Sequence, residues 1–268
     1  MKLHAPLLSL RALAGVQILA ACTLLPLASA AAAPASELAA SRQRIEASDF
    51  RVSGRLVSVS PTGARVSHKV RIKGHWFPDG LLLLFEITNP APERMRLLVH
   101  MSPAGVLTLQ SGKPGMPAVK LAADHLHDPL AGTAFTVEDL TDAQFFWWEQ
   151  STLTQQAFAS RQCAVLKSLP AAENHSAYSE VQSWVAWLDP STAYPIHVVK
   201  TLRGGQQRTF TSFGLRQTSG VWSPTQIEVQ AQGQPGSSLL LFDRGSPKAH
   251  LTRRDFDLGQ AFAPDEAQ

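Results

Sequence analysis

From about residue 50 the chain alternates. Val52, Gly54 and Leu56 stand between polar or charged neighbours, and Val66, Val70 and Ile72 do the same around Ser67, Lys69 and Arg71. Successive side chains of a strand point to opposite faces, so a period of two predicts half-buried strands. Pro61-Thr62-Gly63 between the two runs predicts a turn. GLLLLFEIT, from Gly80, is a continuous apolar strand closed by Asn89-Pro90, followed by RMRLLVHM (94–101) and VLTLQ (106–110). Short strands joined by Pro and Gly turns predict an antiparallel meander. Alternation resumes with CAVLKSL and SAYSEVQSWVAWLD. A hairpin follows around Gly204-Gly205, and a second around Gln234-Pro235-Gly236. The reading is mainly β, with about ten strands in a single antiparallel sheet. A sheet of that length twists and curls, and its concave face, lined by Leu, Val, Ile and Phe, needs cover.

The middle of the chain breaks the alternation. LAADHLHDPLAGTAFTVEDLTDAQFFWWEQSTLTQQAFASRQ (121–162) holds few β-branched residues and more helix formers. It predicts one or two short helices that interrupt the sheet and lie over its concave face. Thr136 is placed to cap one of them, with Asp139 three residues on. Four aromatics then run together, Phe145 to Trp148. On a helix they would wrap most of the circumference, and on a strand they would load both faces. The segment is therefore either buried between two layers or turned in part towards a cavity or an apolar ligand. The candidate lining or lid residues are Leu84, Val99, Phe145, Phe146, Trp147, Trp148, Trp184, Trp187, Ile227 and Leu240. SELAASRQRIEASD, ahead of the first strand, predicts a short helix with Leu38, Ile45 and Ala47 inward.

The N-terminus has its own pattern. Lys2 and Arg11 precede an almost unbroken apolar run, 12–27, and Ala28-Ser29-Ala30 fits a small-x-small cleavage site. Residues 1–30 read as a secretory signal peptide, with an apolar run too short for a comfortable membrane span. Leu19-Ala20-Ala21-Cys22 supplies a second reading, a lipoprotein signal over 1–21 with a lipidated Cys22, although TLLPLASAAAA follows where a polar tether is usual. The predicted organisation is a linker over 31–44, one domain over 45–260 and a flexible tail over 261–268. The expected location is the periplasm, or the membrane surface if Cys22 carries lipid.

Charge and chemistry then narrow the function. The formal charge is +3 over 268 residues, and removing Lys2 and Arg11 leaves +1. That excess announces no nucleic-acid partner, and the basic stretch RVSGRLVSVSPTGARVSHKVRIKG alternates with apolar residues as a solvated sheet face does. Cleavage after Ala30 leaves one cysteine, Cys163, set among Ala164, Val165 and Leu166 as a core thiol, so an apolar core and no internal disulfide must hold the fold. The sequence carries no HExxH, P-loop or GxSxG motif. His125 and His127 in DHLHD could share one metal on a strand, but they lack an evident third ligand and read as a polar loop. Glu138 and Asp139 are adjacent, which points their carboxylates apart on a helix or strand and speaks against an acid–base pair. Asn174-His175-Ser176 fits a glycosylation sequon that means little in a bacterial secreted chain. No cofactor, metal or enzymatic activity is expected.

The segment GTAFTVEDL resembles the G-(S/T)-x-F-(S/T)-x-E-D-L segment of the bacterial outer-membrane lipoprotein-sorting protein family, relatives of periplasmic lipoprotein carriers and their outer-membrane receptors. Gly132, Phe135, Glu138, Asp139 and Leu140 carry it. The resemblance continues through Cys163, Pro170, Tyr178, Val181, Trp184, Asp189 and Pro195, then Gly220, Trp222, Pro224 and Ile227. SSLLLFD, with Ser238 and Leu240, and more loosely Phe256 and Leu258, close it. It spans about 45–260, and its order and spacing are more specific than any one element. MSPAGVLTLQSGKPGM (101–116) departs from the family's R-x-W-x-Y-x-P. The resemblance implies an unclosed barrel with helices over its hollow, which shields acyl chains of lipids or lipoproteins for transport towards the outer membrane. An inner-membrane transporter or an outer-membrane receptor is the implied partner. The competing implication is an envelope interaction protein, or an anchored receptor, that uses the same half-barrel to bind a protein.

Overall fold

Thirteen strands hydrogen-bond into one antiparallel sheet that does not close on itself. The computed structural model describes residues 34–170 and 180–260. The signal segment with Cys22, the sequon at Asn174, Tyr178 and the tail 261–268 lie outside the described residues, as do the side chains of Trp147 and Trp148. Among the described residues no helix is long and apolar enough to cross a membrane.

In chain order the strands are β1 (Asp49–Val59), β2 (Arg65–Phe77), β3 (Gly80–Asn89), β4 (Met95–Met101), β5 (Leu107–Gly112), β6 (Val119–Leu121), β7 (Trp148–Phe158) and β8 (Arg161–Pro170). Then come β9 (Val181–Leu188), β10 (Pro195–Leu202), β11 (Gln207–Phe213), β12 (Arg216–Thr218), β13 (Val221–Ser223), β14 (Gln226–Ala231) and β15 (Ser237–Pro247). The sheet order is β6-β5-β4-β3-β2-β1-β15-β14-β11-β10-β9-β8-β7, and β12 with β13 makes a separate ribbon. The first and last strands meet in the middle, so Leu56 of β1 lies between His68 of β2 and Leu240 of β15. The β1–β15 register slips between Val52 and Gly54. A side chain at Gly54 would collide with the Leu241 carbonyl, so this irregularity needs glycine.

The sheet has more strands than the alternation suggests. The part of the middle segment read as helical by composition ends in β7, an edge strand paired with β8 from Trp148 opposite Pro170 to Phe158 opposite Arg161. Its tight turn is Ala159-Ser160, both at positive φ (47° and 64°). That geometry usually announces itself as Asn-Gly; with Ala-Ser the signal is hidden, and pairing with β8 overrides the local composition. The β12–β13 ribbon likewise turns on Ser219 and Gly220, at φ 50° and 85°.

Alternation sorts the core into two layers. On β3, Leu81, Leu83, Phe85 and Ile87 point into the large concave cluster. Leu82 and Leu84 point the other way and meet Leu251, Phe256 and Leu258 of the C-terminal segment. A strand covered on both faces loses its polar alternation, which is why GLLLLFEIT is continuously apolar. The C-terminal strap is tied down by polar contacts: the Lys73 ammonium donates to the Asp255 carbonyl at 3.0 Å. The Asp255 carboxylate accepts from the Thr252 amide and hydroxyl at 2.9 and 3.0 Å.

Three kinds of cover lie on the concave side. Helix α1 (Pro34–Glu46) is the first. Residues 34–44 are thus helix packed on the domain, not linker: Ser41 is fully buried and Ile45 nearly so. Ala47, expected inward, is exposed because the helix stops at Glu46 and the chain turns towards β1. Short 3-10 turns at Ala123–His127, Leu130–Gly132 and Val137–Leu140 form the second. The single turn α2 (Gln144–Trp147) is the third. The Arg42 guanidinium donates to the Phe145 carbonyl, and Arg44 pairs with Asp142 at 2.6 Å, so α1 is stapled to α2.

Candidate functional site

Between the curved sheet and its cover lies a cavity of about 640 Å³, within the range of small-molecule sites. Its walls follow from the strand period. The inward positions of β2 and β3 contribute Ile72, Leu81 and Leu83, and β14 and β15 contribute Ile227, Leu240 and Phe242. An aromatic group closes one side. Trp184 of β9 stacks on Phe210 of β11 at 5.8 Å between ring centroids, and Phe135 meets Phe210 edge-on at 6.4 Å. All three rings border the cavity.

Next to this aromatic wall is a group of buried charges. The turn Val137–Leu140 delivers both Glu138 and Asp139 to the inward faces of β10 and β11. There Lys200 contacts the Glu138 carboxylate and lies 3.7 Å from Asp139, and Arg208 pairs with Asp139. Arg208 also donates to the Ala134 carbonyl and to the Thr136 hydroxyl. His127 stands 3.2 Å from Glu138. The two carboxylates therefore converge, contrary to the expectation that they point apart: a 3-10 turn rotates about a third of a circle per residue, and long side chains reach one basic pair. Burial lowers the Lys200 ammonium well below the usual lysine range, with Arg208 adding to the effect and the carboxylates opposing it. Asp139 also accepts from the Thr136 amide at 2.7 Å, the cap expected from the sequence. The cluster ties the cover to the sheet, and Asp139 within it borders the cavity.

The cavity opens where α1 ends, β1 begins, β15 ends and the β12–β13 ribbon projects. Arg51, Thr218, Val221, Ser246 and Lys248 there are exposed. Asp49 at this mouth accepts from the His250 and Leu251 amides at 2.9 and 3.0 Å and from His75 at 3.0 Å. Burial tends to raise its carboxyl, but these donors outweigh it and hold it below the usual carboxylate range.

The residues singled out from sequence divide by face. Trp184, Ile227 and Leu240 border the cavity. Val99 and Phe145 are fully buried in the concave core without bordering it. Phe146 packs against that core and stacks on Trp76 at 5.4 Å. Two placements are corrected. Leu84 belongs to the opposite layer under the C-terminal strap, because it is out of phase with Leu81 and Leu83. Trp187, out of phase with Trp184, stands on the outer face, where its indole donates to Gln156 at 3.2 Å and meets His197 edge-on at 4.9 Å. Trp147 and Trp148 fall outside the described side chains. Sequence reasoning missed Phe135 and Phe210 as wall residues; the phase of each with its inward neighbours was the available signal.

The remaining candidates for chemistry stay apart. His125 pairs with Asp128 at 2.7 Å on the surface, while His127 turns to Glu138. Among the described residues no group of three metal-ligating side chains comes together. Cys163 is buried and free, and burial, then Asp189, raises its thiol above the usual range.

A family model described as an uncharacterized protein matches residues 116–260, more than half of the chain. Among solved structures, an outer membrane lipoprotein-sorting protein domain from Vibrio parahaemolyticus superposes with a TM-score of 0.74 at 19% identity, covering 84% of this chain and 96% of that one. A DUF1329 family protein from Desulfovibrio piger gives 0.72 at 12% identity, covering 83% and 96%. A LolA superfamily protein from Nitrosomonas europaea gives 0.65 at 17%, covering 84% and 98%. At these identities the likeness is one of fold: the open, half-barrel sheet with helical cover. No curated protein matches the sequence.

Proposed function

We propose that this chain, which belongs to the family of uncharacterized proteins matched over residues 116–260 and has the fold of the outer-membrane lipoprotein-sorting proteins, binds the acyl chains of lipids or lipoproteins and carries them through the periplasm towards the outer membrane. The observation that carries the reading is the cavity of about 640 Å³, walled by Leu, Ile and aromatic side chains between the curved sheet and a small cover. Each methylene withdrawn from water is worth about 0.8 kcal/mol, so an acyl chain in that cavity crosses an aqueous space at far lower cost than a free one. The work is binding and release alone and assigns no catalytic step to any residue.

The segment 1–30 supports export, and a soluble mature form suits a shuttle that loads at an inner-membrane transporter and unloads at an outer-membrane receptor. Lipidation of Cys22 would instead make the protein an anchored acceptor. Native mass spectrometry of protein purified from its own cell envelope tests the reading. Stoichiometric acyl lipid or lipopeptide is the expected result. A ligand-free mass, with no uptake when lipids are offered, would overturn it.

A further inference from the structure

An acyl chain alone does not account for the charges at the mouth. Arg44 is neutralised by Asp142, Asp139 by Arg208, and Asp49 is occupied by two amides and His75. Two of the three carboxylates bordering the cavity, Asp139 and Asp142, are thus paired with arginines, and Asp49 has hydrogen-bond donors but keeps its charge. The cations do not balance out in the same way. Arg216, at the root of the β12–β13 ribbon, donates to the Asp243 carbonyl, a neutral acceptor, and among the described residues it pairs with no carboxylate. Lys248 borders the cavity, is exposed, and among the described residues pairs with no carboxylate. Arg51 shares Asp255 at 3.3 Å, with its own side chain half exposed.

The backbone that carries one of these cations is pinned. Lys248 has φ 62°, uncommon for a residue with a side chain. The bend is held from both sides by Asp49, whose carbonyl accepts the Ala249 amide at 3.0 Å while its carboxylate accepts the next two amides. Such strain persists where the surroundings over-determine it and tends to accompany function. The result is an apolar interior that ends at a rim where Arg216 and Lys248, set against the single Asp49 carboxylate, leave an excess of positive charge, complementary to an amphiphile with a negative head.

We infer that the mouth is a headgroup site: Arg216 and Lys248, with Arg51 beside them, hold the phosphate of an anionic lipid whose acyl chain fills the cavity. The inference rests on the acyl-binding reading and adds the class of head. Cargo whose phosphate head carries a net negative charge is preferred over cargo of the same chain length whose phosphate is offset by a cationic group in the head.

The test uses the mature chain, cleared of co-purified lipid, and two probes with one palmitoyl chain each, lysophosphatidylglycerol and lysophosphatidylcholine. Calorimetry, with the fluorescence of Trp184 and Trp222 on the cavity wall as a second readout, gives both affinities. At low salt the anionic probe binds about three- to tenfold more tightly, as expected for two exposed charge contacts. The ratio falls towards one at about 0.5 M salt, where screening acts within a few ångströms, and in the Arg216→Gln/Lys248→Gln double variant. The salt series on the unaltered protein decides the matter even if the variant folds poorly. Equal affinities at low salt would overturn the headgroup inference and leave acyl binding standing. Binding of neither probe would remove the acyl reading and the inference with it. Inorganic phosphate that displaces the anionic probe at equal concentration would show a free-phosphate site and also overturn the inference.

Discussion

Tyr194 shows how a single group reports on the cavity. It immediately precedes β10 on the cavity wall, with the Arg44 guanidinium 4.9 Å from its ring centroid. Burial pushes its hydroxyl up to about 12, outweighing the opposing effect of Arg44. In the unfolded chain the phenol ionises near 10. The folded state favours the neutral form, so its contribution to stability is whole below about pH 10 and declines between about 10 and 12, as the unfolded chain ionises first. The sequence has two tyrosines, and Tyr178→Phe leaves one to follow. Its absorbance titration should have a midpoint near 12 in the native protein and near 10 in denaturant. A native midpoint near 10 would mean that water reaches the phenol and that this wall is open. At the same scale, the difference between Leu83 on the cavity and Leu84 under the strap was not legible in the run GLLLLFEIT. A continuous apolar run carries no phase, and only the partners of each face supply it.

At the scale of elements, the cover is held by charge as well as by apolar contact. Glu138 and Asp139 reach inward from one 3-10 turn to Lys200 and Arg208 on two neighbouring strands. Removing one partner of a buried ion pair leaves an uncompensated charge, which typically costs about 3–5 kcal/mol. Lys200→Met keeps most of the volume and should lower the urea midpoint accordingly. Adding Glu138→Gln should restore more than half of that loss, because it removes the stranded charge. A neutral Lys200→Met would show that the network does not hold the cover. The residues of this anchor were visible in GTAFTVEDL, and so was the cap from Thr136 to Asp139. Their partners were not, since Lys200 and Arg208 lie some 60 to 70 positions away on strands that look like any other alternating pair. The edge strand β7 was hidden for the converse reason: its composition favours helix and its turn residues carry no local signature.

For the whole molecule, the cavity links binding to stability. A ligand that occupies only the folded state stabilises it by about 2.7 kcal/mol at a hundred times its Kd. For a chain of this size each kcal/mol moves the melting temperature by about 2–4 °C. A saturating acyl ligand should therefore raise Tm by roughly 5–10 °C in a calorimetric scan, with a dose dependence that follows occupancy. A Tm indifferent to long-chain lipid would mean that the cavity does not take it up. The first and last strands pair at the centre of the sheet, so opening either end of the chain disturbs the wall itself, and the unloaded protein should melt as one transition.

Period and turn chemistry in the sequence determined the class of fold: alternating runs, Gly and Pro corners, and a middle segment too poor in β-branched residues to be sheet throughout. They also marked Trp184, Ile227 and Leu240 as apolar positions on strands. Tertiary structure alone decided which of those positions share a face, that α1 is part of the domain, and that the GTAFTVEDL carboxylates meet Lys200 and Arg208 beside a cavity. The reason is physical. Local pattern encodes what each residue's nearest neighbours impose on the backbone, whereas a cavity and its charged rim exist only where strands distant in sequence are brought to opposite sides of the same space.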